Sequence, residues 1–262
     1  PASLTGITDS ASPYSTALGS GALGATPTGT YNLAIGYEAG NDITTGSQNT
    51  SLGAFSGGKI TTGTRNTLVG YGSGFRITTG GYNVIVGRAA GGAITTAGEN
   101  TIVGDNAAAA MVTGEQNTFI GAGANQTGVT TGSKNIGIGR SALRVITSGT
   151  KNTVIGNTAG LGLTTGSTNT FLGYQAGDAV TTGANNIILG NAAAASSTTV
   201  SNEITFGNSS ISALRCQVQT ISSLSDARDK TNVAPLQAGL DFVERLAPVS
   251  FTWNMRDGAK VG

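Results

Sequence analysis

Residues 66–82 read NTLVGYGSGFRITTGGY, and residues 83–99 read NVIVGRAAGGAITTAGE. Laid one under the other, they share Asn at the first place, Val at the fourth, Gly at the fifth and ninth, and Ile-Thr-Thr at the twelfth to fourteenth. The 17-residue period runs outward in both directions. Asparagine recurs at Asn32, Asn49, Asn66, Asn83, Asn100 and Asn117. After one extra residue within 125–129 it resumes at Asn135, Asn152, Asn169 and Asn186. A glycine stands four residues after each, from Gly36 to Gly190. Ser15 with Gly19, and Glu203 with Gly207, continue the pattern in degraded form. That gives twelve units, ten regular and two with the altered chemistry of capping repeats.

A unit of this length cannot bury its own apolar side, whereas stacked units can, and that is the logic of a β-solenoid. Position 4, counted from the asparagine, is aliphatic in every regular unit (Ile35, Leu52, Val69, Val86, Val103, Ile120, Ile138, Ile155, Leu172, Leu189). Position 12 is nearly as strict (Ile43, Ile60, Ile77, Ile94, Met111, Val129, Ile146, Leu163, Val180). The reading assigns two short strands to each unit, built on these two positions, which form facing interior walls. Glycines at positions 5 and 15 supply turns of positive φ between them. Small residues at position 8, such as Ala39, Ser56 and Ser73, suit a narrow coil. Stacked asparagines hydrogen-bond along the axis. Side chains alternate along a strand, so position 3 (Leu68, Ile85, Ile102, Phe119, Val154, Phe171, Ile188) is expected outside, an aliphatic stripe that self-association would cover. Twelve rungs at a strand spacing near 4.8 Å make a rod of about 55–60 Å.

Composition agrees with a repeating scaffold of small side chains. The 262 residues include 42 glycines, charged residues make up 10% against a usual share of about 25%, and aromatics 5%. An apolar fraction of 38% with a net charge of +1 argues against disorder. Lysines and arginines are scattered, so no nucleic-acid partner is expected. No apolar run approaches the ~20 residues of a membrane span, so no membrane insertion is expected either. There is no histidine, and Cys216 is the only cysteine, so neither a metal site nor a cofactor site is expected. The chain opens on Pro1 without a visible signal peptide and is read as a piece of a longer protein.

Several surface features bear on function. Threonine pairs such as Thr44/Thr45, Thr61/Thr62, Thr78/Thr79 and Thr95/Thr96 suggest a flat ice-binding array, but they equally suit a strand edge and its turn. Position 6 carries Tyr37, Tyr71, Arg88, Arg140 and Tyr174, which are read as solvated rim residues and otherwise as contacts for a glycan. Glu38, Asp42, Asp105, Glu115 and Asp178 do not recur at one position, so the paired carboxylates of a polysaccharide-cleaving cleft are not expected.

Beyond Gly207 the period fades. A neck spans 208–224, with Leu214, Cys216 and Val218 alternating. Residues 222–233 then read SSLSDARDKTNV. A helical face of Leu236, Leu240, Val243 and Leu246 follows, ended by Pro248, with a strand over 249–253 closing on Trp253. Ser225, Asp226, Arg228 and Lys230, followed by the L-x-P-V-x-F-x-W run over 246–253, closely resemble the start of the endosialidase-type intramolecular chaperone family, found at the ends of phage tail fibres and tailspikes. The N-x-x-I-G core of the repeats partly resembles the head β-rolls of trimeric autotransporter adhesins, which are left-handed.

These resemblances carry expectations. The fold is all-β: a left-handed β-roll-like solenoid of 17-residue rungs in a homotrimeric fibre, with a short α+β start of a chaperone domain. The expected organisation is a linker over 1–14, the solenoid over 15–207, the neck over 208–224 and the truncated chaperone start over 225–262. The chaperone family implies that the domain sets three chains in register and then cuts itself off at Leu224–Ser225. Ser225 would be the nucleophile, Lys230 the base, and Asp226 and Arg228 orienting residues. A lysine desolvated in an interface accepts a serine proton readily. The implied setting is a virion tail fibre, or the fibre of an extracellular phage-derived injection machine. Its partners would be a host-surface receptor or glycan, together with other tail or baseplate proteins. The alternative is a bacterial surface adhesin or an ice-binding rod, and the C-terminal motif separates the two.

Overall fold

The structure is a computed structural model, and it describes residues 7–9, 14–215 and 217. The repeat folds as an all-β parallel solenoid of about 11 turns with rungs of about 17 residues. Each rung contributes one strand of three residues, formed by positions 2 to 4. The series begins with β2 (Thr16–Leu18) and β3 (Leu33–Ile35) and ends with β13 (Ile204–Phe206). Each strand pairs in parallel with the same positions of the next rung, as Thr67↔Val84, Leu68↔Ile85 and Val69↔Val86 do. The second strand expected at position 12 does not form. That half of the rung is a series of turns, although its backbone still bonds from rung to rung, as Thr78 N–H does to the Thr95 carbonyl at 2.9 Å.

The two faces of the strand are exchanged relative to the expectation. Position 3 is the interior: Leu68, Ile85, Ile102, Phe119, Val154, Phe171 and Ile188 are fully buried. Position 4 points outward, with Leu52 42% and Leu172 50% exposed. The cause is parity. Position 1 is buried at every asparagine, and in an extended segment position 3 lies on the same side as position 1 while position 4 does not. The far wall is as expected. Ile43, Ile60, Ile77, Ile94, Met111, Ile146, Leu163 and Val180 are buried opposite position 3, and the small residues of position 8 fill the space between.

The asparagine column is the polar spine of this core. The Asn66 side-chain Nδ2 donates to Asn49 Oδ1 at 3.0 Å and to the Gly80 carbonyl at 2.9 Å. Its Oδ1 accepts from the backbone N–H of Asn83 at 3.2 Å and from Asn83 Nδ2 at 2.9 Å. Both donors and both acceptor sites of the amide are thus used, which is what makes a buried column of amides tolerable. The pattern repeats through Asn186. It is closed at one end by Ser15 Oγ, which accepts from Asn32 N–H at 3.1 Å. At the other end Glu203 gives its backbone N–H to Asn186 Oδ1 at 3.0 Å. The imperfect end units are therefore chemical stops for the amide column. A further strand, β1 (Ile7–Asp9), pairs antiparallel with β2 and covers its open edge. No periodicity announced it.

Glycine serves two purposes. Gly87, at position 5, has φ +139°, and a Cβ there would lie 2.3 Å from the Gly104 carbonyl oxygen. Gly80, at position 15, does not have positive φ, against the expectation for that place. It is needed because a Cβ would meet the Ala97 carbonyl oxygen at 2.3 Å. Both let adjacent rungs close to hydrogen-bonding distance.

The extra residue within 125–129 is absorbed as a local change of phase. Val129, expected in the interior, is 60% exposed, and Thr130 is buried in its place. The added residue reverses the facing of the side chains beside it, and the regular phase is restored by Asn135, which is buried like the other asparagines. The Thr130 hydroxyl bonds with Asn125 Oδ1 at 2.9 Å and with the Ile146 carbonyl at 2.8 Å. Asn125 Nδ2 is left buried without a partner, as is Ser51 Oγ in the second regular rung. In the next rung Gly137 stands at the interior place of position 3. Phe119 and Leu143 fill the gap, and a Cβ on Gly137 would come within 3.0 Å and 3.3 Å of them.

Candidate functional site

Three surfaces run along the rod, one for each kind of outward column. The first is the outer face of the strand column. Position 4 is Leu, Ile, Val or Phe in all twelve rungs, from Leu18 to Phe206. Position 2 is Thr or aliphatic throughout, with Val84 43% and Ile204 61% exposed. The outward apolar stripe expected at position 3 thus lies at positions 2 and 4.

The second surface holds the position 6 residues. Tyr37, Tyr71, Arg88, Arg140 and Tyr174 are exposed, as the sequence reading had them, but they are not all isolated. Ala54, small at position 6, leaves room between Tyr37 and Tyr71 for Phe55. The Phe55 ring meets both edge-on, with centroids 5.2 Å and 5.7 Å away, and it meets Phe75 at 6.2 Å. Beside this cluster is a cleft of about 350 Å³ lined by Phe55, Tyr71, Phe75, Gly72, Ala89 and Gly92. The aromatic rings form its walls, and residues with little or no side chain form the rest. Two rungs on, Arg88 Nε lies 2.8 Å from an Asp105 carboxylate oxygen. Lys59 pairs with Asp42 at 2.9 Å, and that hydrogen bond with the carboxylate raises the lysine pKa above its ordinary value. Sequence reasoning missed the cleft because its rings come from position 7 of one rung, Phe55, and positions 6 and 10 of the next, Tyr71 and Phe75, and share no period.

The third surface carries the threonine pairs. The position 13 hydroxyls are committed to the rod itself: Thr61 Oγ1 donates to the Thr78 carbonyl at 3.2 Å, and Thr78 Oγ1 to the Thr95 carbonyl at 3.2 Å. Only the position 14 threonines stand free in solvent, Thr62 and Thr79 among them. The pairs are thus half structural. Among the described residues no group of acidic, cysteine or histidine side chains is arranged to hold a metal ion. Among the same residues no helix is long and apolar enough to cross a membrane.

The residues singled out for chemistry, Leu224, Ser225, Asp226, Arg228 and Lys230, lie outside the described residues, as do Cys216, the helical face from Leu236 to Leu246 and the strand over 249–253. Comparison with known proteins bears on them directly. No curated protein and no solved structure matches the chain. A family model does: residues 225–262, which begin at the serine of the SDARDK motif, match the family described as the chaperone of endosialidase.

Proposed function

We propose that this chain is the shaft segment of a homotrimeric phage-type tail fibre serving host attachment, assembled by the C-terminal chaperone segment. The observation that carries the reading is the endosialidase-chaperone match over 225–262 following a regular parallel β-solenoid rod. A rod of stacked rungs gives length and stiffness without a catalytic cleft, and a chaperone at its end solves the problem of setting identical repeats in register. The open aromatic cleft beside Phe55 supports contact with a host glycan, since sugar rings present apolar faces to aromatic side chains. The attachment partners at the other end would be tail or baseplate proteins.

The processing step is the one that the resemblance to the chaperone family implies, carried onto Leu224, Ser225 and Lys230 of this chain. Ser225 Oγ attacks the Leu224 carbonyl carbon while Lys230 accepts the hydroxyl proton. The Ser225 amide nitrogen leaves protonated, and water then hydrolyses the resulting ester. The lysine must be neutral, which a buried setting in an assembled trimer favours. Cutting therefore follows assembly. The test is the molar mass of the purified protein by light scattering, together with the intact mass of its polypeptides. Three protomers per particle with a break at Leu224–Ser225 is the expected result, and a monomer that is never cut would overturn the reading.

A further inference from the structure

We infer that the cleft beside Phe55 holds the acetamido group of a neutral N-acetylated amino sugar. The acetyl methyl sits in the corner between the rings, and the acetyl oxygen accepts from the Gly92 N–H. The inference rests on the glycan contact read above and adds to it the chemical class of the sugar.

The shape of the aromatic wall is the first observation. A flat platform of rings suits the broad apolar face of a hexose. Here the rings stand nearly perpendicular: Phe55 makes 82° with Tyr71 and 89° with Phe75. Rings set edge to face form a corner, and a corner encloses a compact apolar group such as a methyl. The cleft, of about 350 Å³, is at the small end of the roughly 300–1,000 Å³ of ligand sites, which fits one sugar residue.

The backbone of the lining is the second. In the two preceding rungs position 10 is bonded on both sides. The Gly58 and Phe75 N–H groups donate to the Phe55 and Gly72 carbonyls at 3.2 Å and 3.3 Å. The Gly58 and Phe75 carbonyls accept from the Asp42 and Lys59 N–H groups at 3.2 Å and 3.0 Å. Gly92 stands at the same position, lines the cleft half-buried, and makes neither bond among the described residues. A backbone N–H and carbonyl in such a place take their partners from solvent or from a ligand. An acetamido oxygen is a strong acceptor for the N–H, and the ring hydroxyl beside it donates to the carbonyl. The Tyr71 hydroxyl is the one other polar side-chain group of the lining. A plain hexose seated here would bury several hydroxyls with too few partners. Third, no charged side chain lines the cleft, which suits a neutral occupant.

Saturation-transfer nuclear magnetic resonance on the whole chain tests this. The probes are the methyl glycosides of N-acetylglucosamine, N-acetylgalactosamine, rhamnose and glucose. At least one acetamido sugar should bind and take up saturation chiefly at its acetyl methyl. It should bind about fivefold or more tightly than the rhamnoside, which has a methyl but no amide, and than the glucoside, which has neither. Gly92→Leu, which fills the cleft, and Phe55→Ala, which opens its corner, should each weaken that binding about tenfold. Tyr174→Ala, at position 6 six rungs on from Tyr71, should leave it unchanged. Circular dichroism checks the fold of each variant. Gly92→Ala, whose Cβ would meet the Ala89 carbonyl oxygen at 3.3 Å, replaces Gly92→Leu should the larger side chain disturb the rod. Equal binding of the glucoside or the rhamnoside through the same residues overturns the acetamido assignment and leaves the glycan contact standing. Acetamido sugars that bind the folded Phe55→Ala and Gly92 variants as well as wild type overturn the site. No binding of any of the four sugars overturns both the inference and the glycan contact, and leaves the trimeric reading to its own test by molar mass.

Discussion

Replacing Asn100 with alanine cuts the polar spine in the middle of the rod. Asn100 is buried, and its Nδ2 donates to Asn83 Oδ1 at 3.1 Å and to the Gly114 carbonyl at 3.0 Å. Its Oδ1 accepts from Asn117 N–H at 2.9 Å and from Asn117 Nδ2 at 3.3 Å. Asn83 Oδ1 keeps the backbone N–H of residue 100 as a partner, and Asn117 Nδ2 keeps the Gly132 carbonyl. The Gly114 carbonyl and the Asn117 N–H lose theirs. Two buried orphans at about 1–3 kcal/mol each give a loss of about 4 kcal/mol. Ile102→Val, which removes one methylene from the fully buried wall beside it, should cost only about 0.5–1.5 kcal/mol. Thr62→Ala, on the exposed column, should stay within about 0.5 kcal/mol of wild type. Urea denaturation at fixed protomer concentration measures all three, because assembly makes apparent stability concentration-dependent. An Asn100→Ala loss no larger than that of Ile102→Val would refute the claim that the amide column holds the core together.

Ile102→Asp should abolish the folded rod by burying an unpaired charge, as followed by far-ultraviolet circular dichroism, whereas Val103→Asp should retain the rod signal and lose the trimer in light scattering. Ser225→Ala and Lys230→Ala should each give assembled but uncut protein by intact mass. Glu203 is hydrogen-bonded by the Ser196 hydroxyl and backbone N–H, which hold its carboxyl below the usual range. A depressed folded-state pKa stabilises above the unfolded value and is lost as pH falls through the folded one. The amide protection factors of the last rung, referred to the intrinsic exchange rate at each pH, should therefore fall as the Glu203 carboxylate is protonated, and Glu203→Gln should remove that pH dependence. Phe55→Ala and Tyr71→Ala should reduce binding of soluble host-surface oligosaccharide in calorimetry while leaving thermal melting within a few degrees of wild type.

Much of this architecture is legible in one dimension. The 17-residue spacing, the interior wall from Ile43 to Val180, the small position 8 residues and the asparagine column all follow from repetition, because a solenoid projects each sequence position onto one line of the structure. The phase of the strand was the main thing repetition hid. Both of its faces are aliphatic, and the stricter face turns out to be the outer one. The signal that resolves it is the asparagine: a side chain whose hydrogen bonds are all met by its own column and by the position 15 carbonyl of its rung belongs inside, and parity then carries Leu68 and Ile85 inside with Asn66 and Asn83. Val129 was misplaced because the added residue was treated as a gap in the count and not as a reversal of facing. The glycines of position 15 look like turn residues in sequence, but their role is contact with the next rung, which is visible only in three dimensions. The aromatic cleft breaks the repeat, so a method that rewards the repeat passes over it.

The molar mass of the Ser225→Ala protein, measured by light scattering without denaturant, bears most directly on the central claim. With cutting blocked, the rod and its chaperone segment stay in one polypeptide. Three protomer masses, retained on dilution, are what a trimeric fibre segment requires. A single protomer mass in a folded, cooperatively melting sample would mean that the apolar outer face is not an interface between copies, and that the rod acts alone.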